Sequence, residues 1–390
     1  MNLDEELETE LATLQTAQRR RSLRSLGGAD RVHVQLDDGE PLLSFCSNDY
    51  LGLASHPSVK AAAIQAIQEH GVGAGASRLV SGQAPAHRVL ETALAEFLGL
   101  PDALLFPTGY QANLGAVTAL AGPEDLIVSD AANHASIIDA CRLSRAKVVI
   151  YRHSDTEAAA RALVADGPFV RRVLVTESIF SMDGDRAPLP DLARAARAHG
   201  ALFMVDEAHA LGVVGPQGRG LAADTGVTPD VLIGTLGKAF GAHGGLVAGS
   251  GNLRDFLVNR ARQFIYTTAA PPAVAAAASA ALRHVQSPEG EALRRHAVAL
   301  AAHARMGLRG IGLEIPGQDL ILPILVGSAS RALEISAALL RQGILVPAIR
   351  PPTVPNGTSR LRVTISAMHT LADVDRLIQA IVAAGAMNAH

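Results

Sequence analysis

The chain has 390 residues, 48% of them hydrophobic and 18% charged, with a formal net charge of −3 at pH 7. That length supports a large core and a second, smaller lobe, while balanced charge with arginines scattered among acids argues against a nucleic acid or an anionic membrane as partner. The two cysteines, Cys46 and Cys141, stand far apart with no CxxC spacing and no neighbouring histidine pair, so neither a disulfide framework nor a metal site is expected, and reduced thiols in the cytoplasm are.

Residues 2–7 are acidic where a secretory signal would be basic and then apolar, and no uncharged run is long enough for a bilayer. Leu3, Leu7, Leu11 and Leu14 recur at helical spacing and predict an amphipathic helix that ends near the basic cluster Arg19-Arg20-Arg21. The glycine-rich stretch Gly71-Val-Gly-Ala-Gly75 lacks the strand and spacing of a dinucleotide fingerprint and reads as a close-packed turn near a ligand or a partner chain. From Ala103 onward short apolar runs alternate with helical patterns. The runs are Ala103–Phe106, Leu126–Val128, Lys147–Tyr151, Arg172–Thr176, Ala201–Val205, Val231–Thr235 and Gly245–Ala248. Such alternation predicts an α/β fold, its central sheet mostly parallel and covered on both faces. Leu189–His199, between Pro188 and Gly200, is one expected covering helix. Beyond Pro271 two long helical stretches precede a strand at Ile321–Val326, a helix at Ala329–Gln342, a strand at Leu361–Ser366 and a last helix, which together predict a smaller α+β domain. The expected division is an N-terminal helix and extension over 1–45, a large domain over 46–280 and a small domain over 281–390. Within the last, Arg350-Pro-Pro-Thr-Val-Pro-Asn-Gly357 reads as a rigid loop.

In open α/β sheets ligands sit beyond the carboxyl ends of the strands, and the unusual residues of this chain follow the apolar runs. After the first comes Pro107-Thr-Gly-Tyr-Gln-Ala-Asn113, where Gly109 permits a tight turn and a helix starting near Tyr110 presents backbone amides. It is either an ordinary strand-to-helix turn or an anion site. Asn133-His134 follows the second, and His134 is either a satisfied polar residue or a group that stacks on an aromatic ring. Thr176-Glu-Ser-Ile-Phe-Ser181 offers the Ser181 hydroxyl, with Asp183-Gly184 a turn. Val205-Asp-Glu-Ala-His209 puts a carboxylate, Asp206, at a buried strand end where it needs a cationic or hydrogen-bonding partner. His209 could reach a phenolic oxygen or cap the turn. The same DExH string occurs in nucleotide-driven motors, but the chain has no GxxxxGK[ST] loop. Lys238 completes the set. It is one of three lysines, with Lys60 and Lys147, and lies in Gly234-Thr-Leu-Gly-Lys-Ala-Phe-Gly-Ala-His-Gly-Gly245. A lysine can lose its proton and form a Schiff base, which a guanidinium cannot. An amine, an acid suited to a ring nitrogen, a stacking histidine and a helix end suited to phosphate are together what pyridoxal 5'-phosphate requires.

These residues resemble the fold-type I pyridoxal phosphate transferases, and among them the α-oxoamine synthases, which condense an amino acid with an acyl thioester and release carbon dioxide. The resemblance runs from Ser47-Asn-Asp-Tyr-Leu-Gly52 to the C-terminus. It rests on Asn133-His-Ala-Ser-Ile-Ile-Asp139, Ser181-Met-Asp-Gly-Asp185, Asp206-Glu-Ala-His209, Gly215-Pro-Gln-Gly-Arg-Gly220 and the lysine string. It implies that Lys238 holds the cofactor, Asp206 pairs with its ring nitrogen, His134 stacks on the ring, His209 and Ser181 contact ring substituents, and Gly109, Tyr110 and Thr235 help to hold it. Arg350-Pro-Pro-Thr-Val-Pro355 and Arg360-Leu-Arg362 are most similar to the branch that joins L-alanine to a pimeloyl thioester, carried on coenzyme A or on a carrier protein. That likeness implies substrate contacts from Arg20 or Arg21, Thr353, Asn48 and His134, with Arg350 on a carboxylate. It also implies a homodimer with shared active sites, where Asn48 and Thr267-Thr268 act across the interface. Leu236, His243 and Ala76 depart from the family's pattern, and a solvent-facing His243 is expected. The rival readings are a related synthase that uses glycine with another acyl thioester, an aminotransferase on the same fold, and a non-catalytic protein that keeps the fold.

Overall fold

The computed structural model describes residues 2–28, 30–36 and 39–386; Met1 and the last four residues of the expected terminal segments lie outside them. Two compact units emerge, one of residues 48–181 and 185–295, the other of residues 2–47, 182–184 and 296–386 among those described.

The larger unit is built on a seven-stranded sheet. Its spatial order is Asp102–Phe106, Gly245–Gly249, Val231–Thr235, Leu202–Asp206, Arg172–Glu177, Leu126–Asp130, Lys147–Tyr151. Only Gly245–Gly249 runs against the others. The largely parallel sheet expected from the alternating pattern is therefore present. Its central strands are buried along their whole length, which is why they read as near-continuous apolar runs rather than as alternations. On one face the helix Gly109–Leu120 packs against Ala135–Ser144, and Ala112, Ala116, Val117, Ile137 and Ala140 join Val175, Met204 and Val247 in one core. Leu189–Ala198 is the covering helix expected after Pro188. Gly71 and Gly75 adopt positive φ, and a Cβ on Gly71, Gly73 or Gly75 would meet nothing within 4 Å among the described residues.

One buried ion pair ties the sheet to its surroundings. The Arg78 guanidinium donates to Glu91 at 2.6 and 3.1 Å, and Glu91 also accepts the Leu105 N–H at 2.9 Å, so its charge is matched by three donors. A second ionic link sits at the end of Leu126–Asp130, where His153 bridges Asp130 at 2.9 Å and Asp185 at 2.8 Å. Its bonds to Asp130 and then Asp185, opposed by burial, push its pKa up to about 10. A folded pKa above the unfolded value of about 6.5 means that the link stabilises fully below about pH 6.5 and is lost as pH rises through about 10. The expected result is that Tm, followed from pH 6.5 to 10, declines more steeply for the unsubstituted protein than for His153→Gln.

In the smaller unit, His33–Leu36 and Pro41–Ser44 pair antiparallel, and Pro41–Ser44 pairs parallel with Ile344–Leu345. Backbone pairing thus joins the N-terminal segment to the C-terminal residues. Ile321–Gly327, Ser359–Thr364 and Ala348–Ile349 form a three-stranded antiparallel sheet, flanked by the helices Ala329–Arg341 and Leu371–Ala383. The first helix, Leu3–Thr16, forms as expected behind an Asn2 capping box. None of its residues is buried, and its leucine stripe stays exposed among the described residues. Among the described residues no helix is long and apolar enough to cross a membrane.

Candidate active site

The lysine sits where the one antiparallel step leaves the sheet. Between Val231–Thr235 and Gly245–Gly249 the backbone turns on three bonds, Leu236 N–H to Gly244 O, Ala242 N–H to Leu236 O and Gly241 N–H to Lys238 O, at 2.8–2.9 Å. Gly241 has φ of +60° and lies so close to Ala54 that a Cβ would fall 2.1 Å from its amide nitrogen, so no other residue fits there. Lys238 Nζ is held 2.8 Å from His209 Nε2, and His209 Nδ1 lies 2.6 Å from the Tyr50 hydroxyl. With the lysine donating, the imidazole carries its proton on Nδ1 and passes the polarity to Tyr50, whose hydroxyl donates to Asn48 Oδ1 at 3.4 Å. Asn48 is therefore linked to the lysine within one chain. His243 is exposed, as expected, and Leu236 is buried.

The neighbouring strand ends carry the acids. Asp206, buried, accepts the Ala208 N–H at 2.9 Å on one oxygen and the Asn113 side-chain N–H at 2.7 Å on the other. Asn113 also donates to Ser136 Oγ at 3.0 Å, and Ser136 contacts His134 Nδ1 at 2.8 Å, so one chain of bonds runs from His134 to Asp206. His134 caps the helix Ala135–Ser144, and its side chain is exposed. Burial holds its imidazole below the usual range, with Lys238 adding to the shift and Asp206 and Asp139 opposing it. Glu177 is paired in register with Asp206 on the adjacent strand, and its Oε1 has no partner among the described residues. Burial and then Asp206 push its carboxyl well above the usual range, opposed by Lys238. Ser181 is buried at the turn beyond the same strand.

A helix end completes the set. Thr108 caps Gly109–Leu120 by accepting the Gln111 N–H, and the N–H groups of Gly109 and Tyr110 have no acceptor among the described residues. Gly109 is not the expected tight turn but the first helical residue. A Cβ there would sit 3.3 Å from Thr235 Cβ, so its glycine lets the helix end come close to the strand that leads to Lys238. Thr235 Oγ1 donates to Gly244 O at 3.0 Å and accepts the Gly237 N–H at 3.2 Å. The Tyr110 hydroxyl is bonded to Asp139, which raises its pKa. Thr267 is half-buried and Thr268 exposed.

The remaining expected residues gather in the smaller unit. Arg21 donates to Thr353 Oγ1 at 3.1 Å, while Arg20 contributes its carbonyl, which accepts from Arg350 at 2.9 Å. Partial burial and then the Arg21 charge lower the Arg350 pKa.

Residues 40–381 match the family model of class I and II aminotransferases. A curated 8-amino-7-oxononanoate synthase from Geobacter sulfurreducens is 48% identical over 94% of both chains, and one from Marinobacter nauticus is 52% identical over 88% of this chain and 87% of its own. The chain belongs to the 8-amino-7-oxononanoate synthase family, within the class I and II aminotransferases. Its fold matches serine palmitoyltransferase from S. paucimobilis, solved with a PLP–myriocin aldimine, with a TM-score of 0.93 at 30% identity over 99% of this chain and 98% of that one. It also matches an 8-amino-7-oxononanoate synthase from Francisella tularensis, with a TM-score of 0.76 at 27% identity over 87% and 96%. The fold-type I architecture is thereby established.

The donor set fits the family's cofactor. An amine on a rigid turn, a buried carboxylate whose oxygens take only uncharged N–H donors in the bonds described, and two free amides at the start of a twelve-residue helix suit an aldehyde, a ring nitrogen and a phosphate in turn. Tyr50, Asn113, Ser136 and Glu177 are the members of this site that motif reading does not find. The strand-end rule did hold a signal for Glu177, which directly follows an apolar run.

Proposed function

We propose that the chain catalyses the decarboxylative condensation of L-alanine with a pimeloyl thioester, giving 8-amino-7-oxononanoate, carbon dioxide and free thiol. The observation that carries this reading is the convergence of Lys238, His209 and Asp206 at adjacent strand ends. The relatives' shared name supports the choice of substrates. Pyridoxal phosphate, when bound, supplies an aldehyde that captures amines and a ring that withdraws electrons from the carbon beside them.

In this reading Lys238 holds the aldehyde and, once displaced by alanine, removes and later returns the proton at the substrate's α-carbon. His209, positioned by Tyr50, orients the amine and accepts its hydrogen bond. Asp206 keeps the ring nitrogen protonated, and Asn113 and the Ala208 N–H hold the carboxylate in place. His134, at the start of the helix Ala135–Ser144, offers a flat face for stacking. The amides of Gly109 and Tyr110 receive the phosphate, with Thr235 beside them, and Ser181 a ring oxygen. We assign recognition of the acyl chain's far carboxylate to Arg21 rather than Arg20, because the Arg21 side chain is the one that reaches Thr353. Arg350 adds a second guanidinium. We further propose a cytoplasmic homodimer; the free thiols of half-buried Cys46 and buried Cys141, whose pKa values burial pushes up to about 11, suit a reducing compartment.

Thiol release measured with alanine or glycine against pimeloyl, acetyl, succinyl and palmitoyl thioesters, on coenzyme A and on carrier protein, tests the proposal. Turnover by alanine with pimeloyl thioester is expected; glycine working while that pair stays idle overturns it. In the same assay Arg21→Ala is expected to raise KM for the pimeloyl thioester about tenfold with kcat nearly unchanged, the loss of one charge-assisted bond.

A further inference from the structure

His56, His284 and Glu289 come together in the larger unit although nothing in the proposed chemistry uses them. His56 caps the start of the helix Pro57–His70, His284 lies in the last turn of Pro272–Gln286, and Glu289 lies in the first turn of Pro288–Gly310. One nitrogen or oxygen from each falls within 4.8 Å of the others. We propose that these three side chains bind one divalent transition-metal ion of the zinc, cobalt and nickel class.

Ordinary side-chain pairing does not account for the arrangement. Glu289 Oε1 is 4.0 Å from His56 Nε2 and its Oε2 is 3.7 Å from His284 Nδ1, both too long for hydrogen bonds. The imidazole rings stand 4.2 Å apart at 45°, a crowding that two protonated rings would resist. His284 is about nine-tenths buried, and the nitrogen it brings near Glu289 is Nδ1. Burial, helped by His56 and opposed by Glu289, favours the neutral imidazole of His284, the form that binds metal.

Ligand atoms around a tetrahedral ion with bonds of about 2.0–2.1 Å stand about 3.3 Å apart. The two Glu289–imidazole separations close to that by rotation of Glu289, whose side chain is 69% exposed. His56 brings its own orienting partner, because Nδ1 lies 2.8 Å from Ser58 Oγ. Metal on Nε2 sets the Nδ1–H tautomer, which donates to that hydroxyl and gives up the longer 3.3 Å contact with the Ser58 N–H. Two imidazoles disfavour magnesium and calcium, which prefer oxygen, and three protein ligands leave a position for water. The ion would tie three helix ends together, and the wide spacing of its ligands along the chain is what hides it from motif reading.

The test is titration of cobalt(II) into chelator-treated holoenzyme, followed by its visible absorption bands and by Tm. The expected result is one ion per chain, a raised Tm, and affinity weakened at least about tenfold by His284→Ala and, on an exposed side chain that leaves the fold intact, by Glu289→Gln. Absence of cobalt bands in the unsubstituted holoenzyme, or bands and Tm shifts equal in all three proteins, overturns the proposal.

Discussion

Lys238→Ala is expected to lower kcat on the order of 10⁴-fold, the upper range for removal of a proton-transfer group. The turn between Val231–Thr235 and Gly245–Gly249 is held by backbone bonds that the substitution does not touch, so the fold and the helix end at Gly109 survive. What disappears is the amine 2.8 Å from His209 Nε2. Lys238→Arg is expected to be equally inactive, because a guanidinium keeps its proton and cannot form a Schiff base. Borohydride reduction followed by mass spectrometry is the check: the unsubstituted protein should gain the reduced cofactor on Lys238 and both variants none. Activity within tenfold of the unsubstituted protein in either variant would sink the assignment.

Asp206→Asn is the second. The side chain keeps its size but loses the charge that we propose keeps a ring nitrogen protonated, and an amide cannot accept on both sides from Ala208 and Asn113. We expect kcat to fall by about 10²–10³-fold, the cost of removing one preorganised electrostatic partner. The borohydride adduct on Lys238 should still form, which separates this loss from that of Lys238. An Asp206→Asn protein with near-normal kcat would assign the ring nitrogen to another group.

Lys238, Asp206, His209 and His134 were legible in the sequence for one physical reason: each follows a buried apolar run, and a polar residue at such a strand end has to be paired or used. The large sheet was legible for the same reason, since strands buried on both faces cannot hide their composition. Its order was not, because the pairing of Asp102–Phe106 with Gly245–Gly249 joins strands distant in sequence that no local pattern connects. Tyr50 escaped likewise: its hydroxyl meets a histidine far along the chain. Asn113 looked like any polar residue in a helix, and only the packing of Gly109–Leu120 over the sheet turns it toward Asp206. Gly109 was read as a turn because glycine signals turns more often than close approach, and here close approach to Thr235 is its use.

The turn that carries Lys238 also has a place in the order of assembly. Thr235 and Gly245 are register partners close in sequence, whereas Gly245 and Phe106 are partners separated by much of the larger unit. Closing the first pairing costs far less loop entropy than closing the second. The segment bearing the reactive amine is thus among the most local pairings of its sheet, able to form before the strand that supplies the helix end at Gly109 has docked. A circular permutation opened within this turn should therefore slow refolding more than one opened in the loop before Asp102.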